Sequence, residues 1–252
     1  MNAQSVIDIA IAEVGYLEKS KSAYIANPAV IWYKLDGAGY DNITKYAYEI
    51  DRINWYAYGV QYQPWCATFV DYCFLKAANW NITVASKIKN HGATDCLVDD
   101  AIDQYKKVGR WFHEPEKGDQ IFFSKANGVD PAHTGLVVDV DDDYVYTLEG
   151  NTSSDSGVVE NGGTCARKAY FRRYYRILGY GRPFYEEDDE MTGEEIYKAL
   201  RDYLVSQPLP AWAEKELEEA KEMGITDGTR PMMFSSRMEA AIMCKRAVEK
   251  KR

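Results

Sequence analysis

Paired cysteines are missing from this chain. Its five cysteines, at positions 66, 73, 96, 165 and 244, are odd in number and include no Cys-x-x-Cys pair. That spacing argues against a disulfide framework and points to synthesis in a reducing compartment. Zinc-like spacing is missing too. His91 and Cys96 stand near each other in sequence, but no second ligand pair accompanies them, so neither a metal nor a cofactor is expected. Histidine is scarce, at three residues. Excess positive charge is absent: 39 acidic residues against 30 basic ones leave a net charge of -9, which argues against nucleic acid as a partner. No apolar run approaches the ~20 residues of a membrane span, so no membrane insertion is expected. The first residues lack a basic segment, and Asp8 and Glu13 interrupt their apolar positions, unlike a secretion signal. The expectation is a cytoplasmic product that works elsewhere only after release.

Aromatic residues, by contrast, are plentiful. They make up 13% of the 252 residues, with twenty tyrosines, which suits a large core and also extended polar ligands. The length allows one large domain or two smaller ones.

The most informative stretch runs from Gln63 to Phe74. After Cys66, apolar residues recur at Phe69, Val70, Cys73, Phe74 and Ala77, the rhythm of a buried helix face, with Pro64 just before it and Asn79 just beyond. Cys66 then occupies the first turn, where unpaired backbone N–H groups and the positive dipole end favour a thiolate. A thiolate is the nucleophile of a cysteine hydrolase. A buried, inert cysteine is the alternative reading, and a base downstream decides between them.

Along the rest of the chain, Val6, Ile7, Ala10, Ile11 and Val14 predict a helix closed by Gly15. Residues 16–62 are irregular and rich in Tyr, Trp and Asn, fit either to pack on a scaffold or to wall a groove. Residues 81–96 read as mixed and polar, and 97–108 as a short amphipathic helix ended by Gly109. Strand texture follows: Ile121 to Phe123, then Gly135 to Val140 and Tyr144 to Leu148 as a hairpin about Asp141-Asp142-Asp143. Val158-Val159, Ala169 to Phe171 and Ile177 to Tyr180 are further strand candidates. Helices first and an antiparallel sheet second define an α+β fold. An acidic linker occupies 186–191. Behind it, 192–252 reads as a small all-α domain of three helices, two opened by the capping-box pairs Thr192/Glu195 and Ser236/Glu239. The catalytic portion is thus 1–185.

Of the three histidines, His91 and His113 lie in polar stretches and read as surface residues. His133 leads directly into the apolar strand Leu136-Val137-Val138, a firm mount for a general base. If the hairpin pairs about Asp141 to Asp143, Glu149 or Asn151 returns beside His133 and can orient its ring.

Trp65-Cys66-Ala67-Thr68-Phe69-Val70, Gly118-Asp119-Gln120-Ile121-Phe122-Phe123, His133-Thr134-Gly135-Leu136-Val137-Val138 and Glu149-Gly150-Asn151 resemble, in order, the motifs of CHAP domains. Leu178 to Pro183 looks like their closing segment. The resemblance covers about 1–185. It implies a papain-like α+β fold and a cysteine- and histidine-dependent amidohydrolase or peptidase, as in phage endolysins and bacterial autolysins. It further implies Cys66 as nucleophile, His133 as base, and Glu149 with Asn151 as supporting acid and amide. Tyr62, Gln63 and Trp65 are expected around the oxyanion and substrate. Calcium is not carried over, since 50–65 holds no Asp-rich loop. In the tail, Trp212, Ala220, Gly224 to Gly228, Phe234 and Arg237 to Ala240 resemble one S-layer-homology unit. That implies wall binding, or assembly into a homo-oligomer through the C-terminal domain.

The expected partner is therefore bacterial cell-wall peptidoglycan, met after release and cut at an amide bond. The sequence leaves amidase and endopeptidase open. The rival readings are a non-catalytic wall-binding or structural protein of the same fold, and an NlpC/P60-type cysteine peptidase. The latter's core reads Asp-Cys-Ser, where this chain has Trp-Cys-Ala.

Overall fold

The computed structural model describes residues 1–89, 96–185, 193–229 and 237–249. The chain divides into two units, Met1–Glu187 and Asp188–Arg252.

In the first unit, helices precede a single sheet. They are α1 (Ala3–Glu13), α2 (Lys21–Ala26), α3 (Lys45–Arg52), α4 (Cys66–Ala77), α5 (Ile82–Lys89) and α6 (Val98–Lys107). The strands are β1 (Trp111–Phe112), β2 (Gln120–Ser124), β3 (Pro131–Val140), β4 (Tyr144–Thr152), β5 (Thr164–Phe171) and β6 (Ile177–Gly181). They lie in the order β1-β6-β2-β3-β4-β5, and every neighbouring pair is antiparallel. This is the expected α+β class.

The helix over Cys66 is the core of the unit. Every residue from Cys66 to Leu75 is buried, as befits a helix covered on all sides rather than on one stripe. On one flank it meets α1 through Val6, Ile7 and Ala10, and on another the sheet through the paired Leu136 and Leu148. Tyr46 of α3 is the centre of an aromatic cluster. Its ring centroid lies 4.9 Å from Tyr16, 5.4 Å from Trp65, 5.3 Å from Phe69 and 4.8 Å from Tyr72. Much of the tyrosine-rich 16–62 segment is thus core. Trp32, Tyr40, Tyr58 and Tyr62 remain exposed.

The β3–β4 hairpin turns where its acidic triplet stands. The Asp141 carboxylate accepts from the Asp143 and Tyr144 N–H groups at 2.9 and 2.7 Å, which holds the turn without glycine. Three elements differ from the sequence reading. Helix α5 forms within the polar stretch because Asn81 Oδ1 accepts from Val84 N and Ala85 and Ile88 become buried. Val158-Val159 makes no strand: the Val158 carbonyl accepts from Arg176 Nη1 at 3.2 Å instead of joining a ladder. The two-residue β1 carried no signal of its own.

One polar group is set deep in this core. Asp71, on the buried α4, accepts from Trp55 Nε1 at 2.8 Å and Tyr56 Oη at 2.7 Å and pairs with the buried Lys89 ammonium. The pair locks α4, α5 and the 53–56 turn together.

In the second unit the described residues hold α7 (Gly193–Ser206), α8 (Ala211–Glu222) and α9 (Arg237–Glu249). Helix α8 starts behind Pro210 and the chain turns at Gly224, whose φ is +65°. The acidic run 186–191, the caps Thr192 and Ser236, and His91 lie outside the described residues.

Removing one partner of a buried ion pair leaves the other charge unpaired and costs about 3–5 kcal/mol. Asp71→Ala is therefore expected to lower the unfolding free energy of the first unit by that amount. Urea denaturation followed by tryptophan fluorescence measures it.

Candidate active site

Cys66 opens α4. Trp65 supplies the N-cap position but no capping side chain, so the first-turn N–H groups are left for another acceptor. The sulfur is nearly covered, at 4% exposure of the residue, and the rim beside it (Tyr62, Gln63, Pro64) is exposed.

His133 stands near the start of β3 and Glu149 near the end of β4, on the two strands joined by the Asp141 turn. His133 Nε2 and Glu149 Oε2 are 3.0 Å apart, and both residues are fully buried. Gly135 explains how the carboxylate reaches the ring. A Cβ at that position would lie 2.6 Å from Glu149 Cγ, so the glutamate side chain lies across the space that the glycine leaves open. Thr147, on the same strand face, donates its hydroxyl to Glu149 Oε1 at 2.6 Å. Lys168 lies close enough for its charge to act on the carboxylate, and its ammonium is held by the carbonyls of Asp155 and Gly157.

With Nε2 committed to Glu149, Nδ1 is the ring atom left for the sulfur, and it makes no hydrogen bond of its own. Burial opposes a charged imidazole. Interactions with Cys66 and Glu149 outweigh that penalty and raise the His133 pKa above the usual histidine value. Catalytic hydrogen bonds of this kind commonly tighten only once substrate is bound. The arrangement provides a thiol, a base that favours its imidazolium form, and a carboxylate that orients the base.

Of the other expected site residues, Tyr62 and Gln63 lie at the rim beside Cys66, whereas Asn151 and Trp65 are engaged elsewhere. Asn151 has a left-handed backbone, φ +54°, within the register shift between Glu149 and Thr152 where β4 pairs with β5. Its amide is occupied: Oδ1 accepts from Gly163 N at 3.2 Å, and Nδ2 donates to Asn42 Oδ1 at 3.3 Å. It therefore holds the strand end rather than the imidazole. Trp65 is fully buried between Tyr16 and Tyr46, out of a substrate's reach. Tyr62 and Gln63 are exposed beside the helix start, fixed by Tyr62 N donating to Asn42 O at 3.1 Å and Gln63 N to Val60 O at 3.3 Å. His113 is exposed and lines an open groove of about 540 Å³ with Asp103, Lys106, Trp111, Pro131 and Leu178. Among the described residues no group of three His, Cys, Asp or Glu side chains is placed to hold a metal.

Thr147 and Gly135 were not singled out as site residues from the sequence. The Thr-x-Glu alternation on one strand and the small residue two places after His133 were the signals available.

Comparison with known proteins adds one finding. The CHAP domain family model matches residues 55–151, a stretch that is under half of the chain and contains Cys66, His133, Glu149 and Asn151. No curated protein and no solved structure matches the chain.

Gly150 offers a direct test of the geometry. A Cβ there would stand 2.5 Å from Phe69 Cβ and 2.9 Å from Trp65 Cζ3, so α4 would have to move off β4. Gly150→Ala is expected to cost about 1–3 kcal/mol, as overpacked cores do. It should also slow alkylation of Cys66, because the sulfur moves away from His133. Urea melts and mass-spectrometric peptide mapping after iodoacetamide read the two effects.

Proposed function

We propose that the chain is a peptidoglycan hydrolase of papain-like arrangement that cleaves an amide bond through Cys66 and His133. One observation carries the reading. A cysteine at an uncapped helix start lies beside an imidazole whose far nitrogen is held at 3.0 Å by a buried carboxylate. The CHAP match over the same residues supports peptidoglycan as the substrate class.

In this mechanism the Cys66 thiolate attacks the carbonyl carbon of the scissile amide, and the oxyanion forms against the first-turn N–H groups of α4. The exposed Tyr62 and Gln63 side chains are the candidates for a further donor. The His133 imidazolium gives its proton to the departing nitrogen, the C–N bond breaks, and a thioester with free amine results. Neutral His133 then takes a proton from water as the water oxygen attacks the thioester. The thiol ester bond breaks, releasing the carboxylic acid and restoring the thiolate–imidazolium pair. Glu149 keeps the ring oriented and its charge balanced throughout. Substrate enters over the exposed Tyr62–Gln63 rim beside Cys66.

Whether the bond is the amide joining muramic acid to L-alanine or one within the peptide is a matter of substrate placement, since both use the same chemistry. An endolysin-like role, with synthesis in the cytoplasm and action on the wall after release, fits the lack of paired cysteines. The helical C-terminal unit is proposed to hold the enzyme to the wall or to assemble it.

Cys66→Ser and His133→Ala are expected to reduce cleavage of purified sacculi by several orders of magnitude. His113→Ala should remain near the parent rate. Mass spectrometry of the soluble products identifies the bond. Full activity in Cys66→Ser protein would overturn the reading.

The C-terminal unit has its own test. A chain ending at Tyr185 is expected to cut soluble wall fragments at the parent rate but intact sacculi more slowly, because the tail raises local enzyme concentration. Sacculus pull-down and light scattering separate wall binding from assembly. An unchanged result in both would remove the tail from the proposal.

A further inference from the structure

Three segments that build the site converge on a residue ahead of the matched family stretch. Glu18 is buried, at 2% exposure. Its Oε2 accepts from Trp65 Nε1 at 2.7 Å, and its Oε1 accepts from the backbone N–H of Asn42 at 3.3 Å. Trp65 immediately precedes the nucleophile. Asn42 accepts the Tyr62 N–H on its carbonyl, which places the substrate rim, and accepts Asn151 Nδ2 on its side chain, which places the end of β4 beyond Glu149. The Glu18 N–H donates to Gly163 O at 2.9 Å, and the Glu18 carbonyl accepts from Gly39 N at 3.0 Å, so the residue itself is pinned on both sides.

We infer that Glu18 is a positioning residue for the Cys66–His133 reaction: it holds the Trp65 indole, and through it the register of the α4 start against β4. An apolar ring in an aromatic pocket can rotate or slide by a few tenths of an ångström at little expense, because dispersion is not directional. A hydrogen bond to a buried carboxylate is directional and strong. It therefore selects one indole orientation among several that Tyr16 and Tyr46 would accept. The Cα of Cys66 is one peptide unit from that of Trp65, so an indole held in one place restrains the backbone that carries the nucleophile. Burial raises the Glu18 pKa, with the Trp65 and Asn42 hydrogen bonds opposing the rise, which is the expected signature of a carboxylate kept out of water for its bonding role. The fold alone gives no such reason for a buried acid, since an apolar side chain of the same shape would fill the space.

The inference rests on the proposed hydrolase reading, and the test separates the two. Full-length Glu18→Ala, Glu18→Gln, Trp65→Phe and the double variant Glu18→Gln/Trp65→Phe are compared in two assays. One is kcat and KM on soluble peptidoglycan fragments. The other is the rate of iodoacetamide alkylation at Cys66, mapped by peptide mass spectrometry, which needs no substrate. Glu18→Ala is expected to lower kcat by about 10–100-fold, the scale of a misplaced reacting group, with KM within about twofold, and to slow alkylation in parallel. Glu18→Gln should recover part of both, because the amide oxygen still accepts from the indole. Adding Trp65→Phe to Glu18→Gln should cause no loss beyond the worse single variant, since both act on one hydrogen bond. Additive losses would overturn the inference, as would a Glu18→Ala protein of lowered melting temperature with unchanged alkylation. If Glu18→Ala does not fold, the Gln and Phe cycle gives the same decision. If no variant, parent included, cuts the fragments, the hydrolase reading fails and the alkylation rates alone decide the role of Glu18.

Discussion

The close approach of α4 to β4 at Gly150 is the constraint on which the site depends. A helix packed on a sheet normally stands off by the length of its side chains. Here the strand presents hydrogen where a Cβ would be, and Phe69 and Trp65 fill the space. The helix start is thereby lowered onto β4 at the residue next to Glu149, which the hairpin brings beside His133. A second missing Cβ, at Gly135, gives Glu149 its route to the ring. Two glycines on adjacent strands thus set how closely α4 approaches β4 and how Glu149 reaches the His133 ring. Neither residue takes part in chemistry.

Burial makes those distances consequential. Inside a low-dielectric interior an ionised carboxylate is costly unless its lone pairs are occupied. Glu149 meets this with the imidazole on one oxygen, the Thr147 hydroxyl on the other and the Lys168 charge nearby. The same surroundings favour the charged ring over the neutral one, against the desolvation that burial imposes. In the proposed reaction this keeps the proton on the group that delivers it to the departing amine. Asp71 and Lys89 show the same logic used for architecture. Their pair, with Trp55 and Tyr56, fixes the far side of α4 and touches no part of the site.

How much of this could be read from the residues alone follows from the range of each interaction. The α4 rhythm, the hairpin about Asp141 and the strand after His133 depend on local periodicity and turn chemistry, and all three are in the structure where the sequence places them. That Glu149 or Asn151 returns beside His133 also followed, because a hairpin's register is a local property, and the structure brings Glu149 to the ring. What sequence could not show is contact across long separations. Trp65 reads as a rim residue because it adjoins the cysteine, yet Glu18, Tyr16 and Tyr46 draw it into the core. Asn151 reads as a partner for the imidazole because it adjoins Glu149, yet a left-handed turn aims its amide at Asn42. In both cases the neighbour in sequence was known and the neighbour in space was not.

The same long-range contacts bear on where the functional unit begins. The family match starts at residue 55, but the aromatic pocket around Trp65 is made by Tyr16 and Tyr46, and its hydrogen bond by Glu18. Helix α1 covers one flank of α4, and Glu13, at its end, accepts from Tyr46 Oη at 3.0 Å. On the other side of the match, β5 continues the sheet beyond β4, and β6 links β2 to β1. Cut to 55–151, the chain would keep Cys66, His133 and Glu149 while exposing the indole that adjoins the nucleophile and opening both flanks of the sheet. The residues that perform the proposed chemistry therefore occupy a short span, and the residues that hold them still occupy nearly the whole of Met1–Glu187.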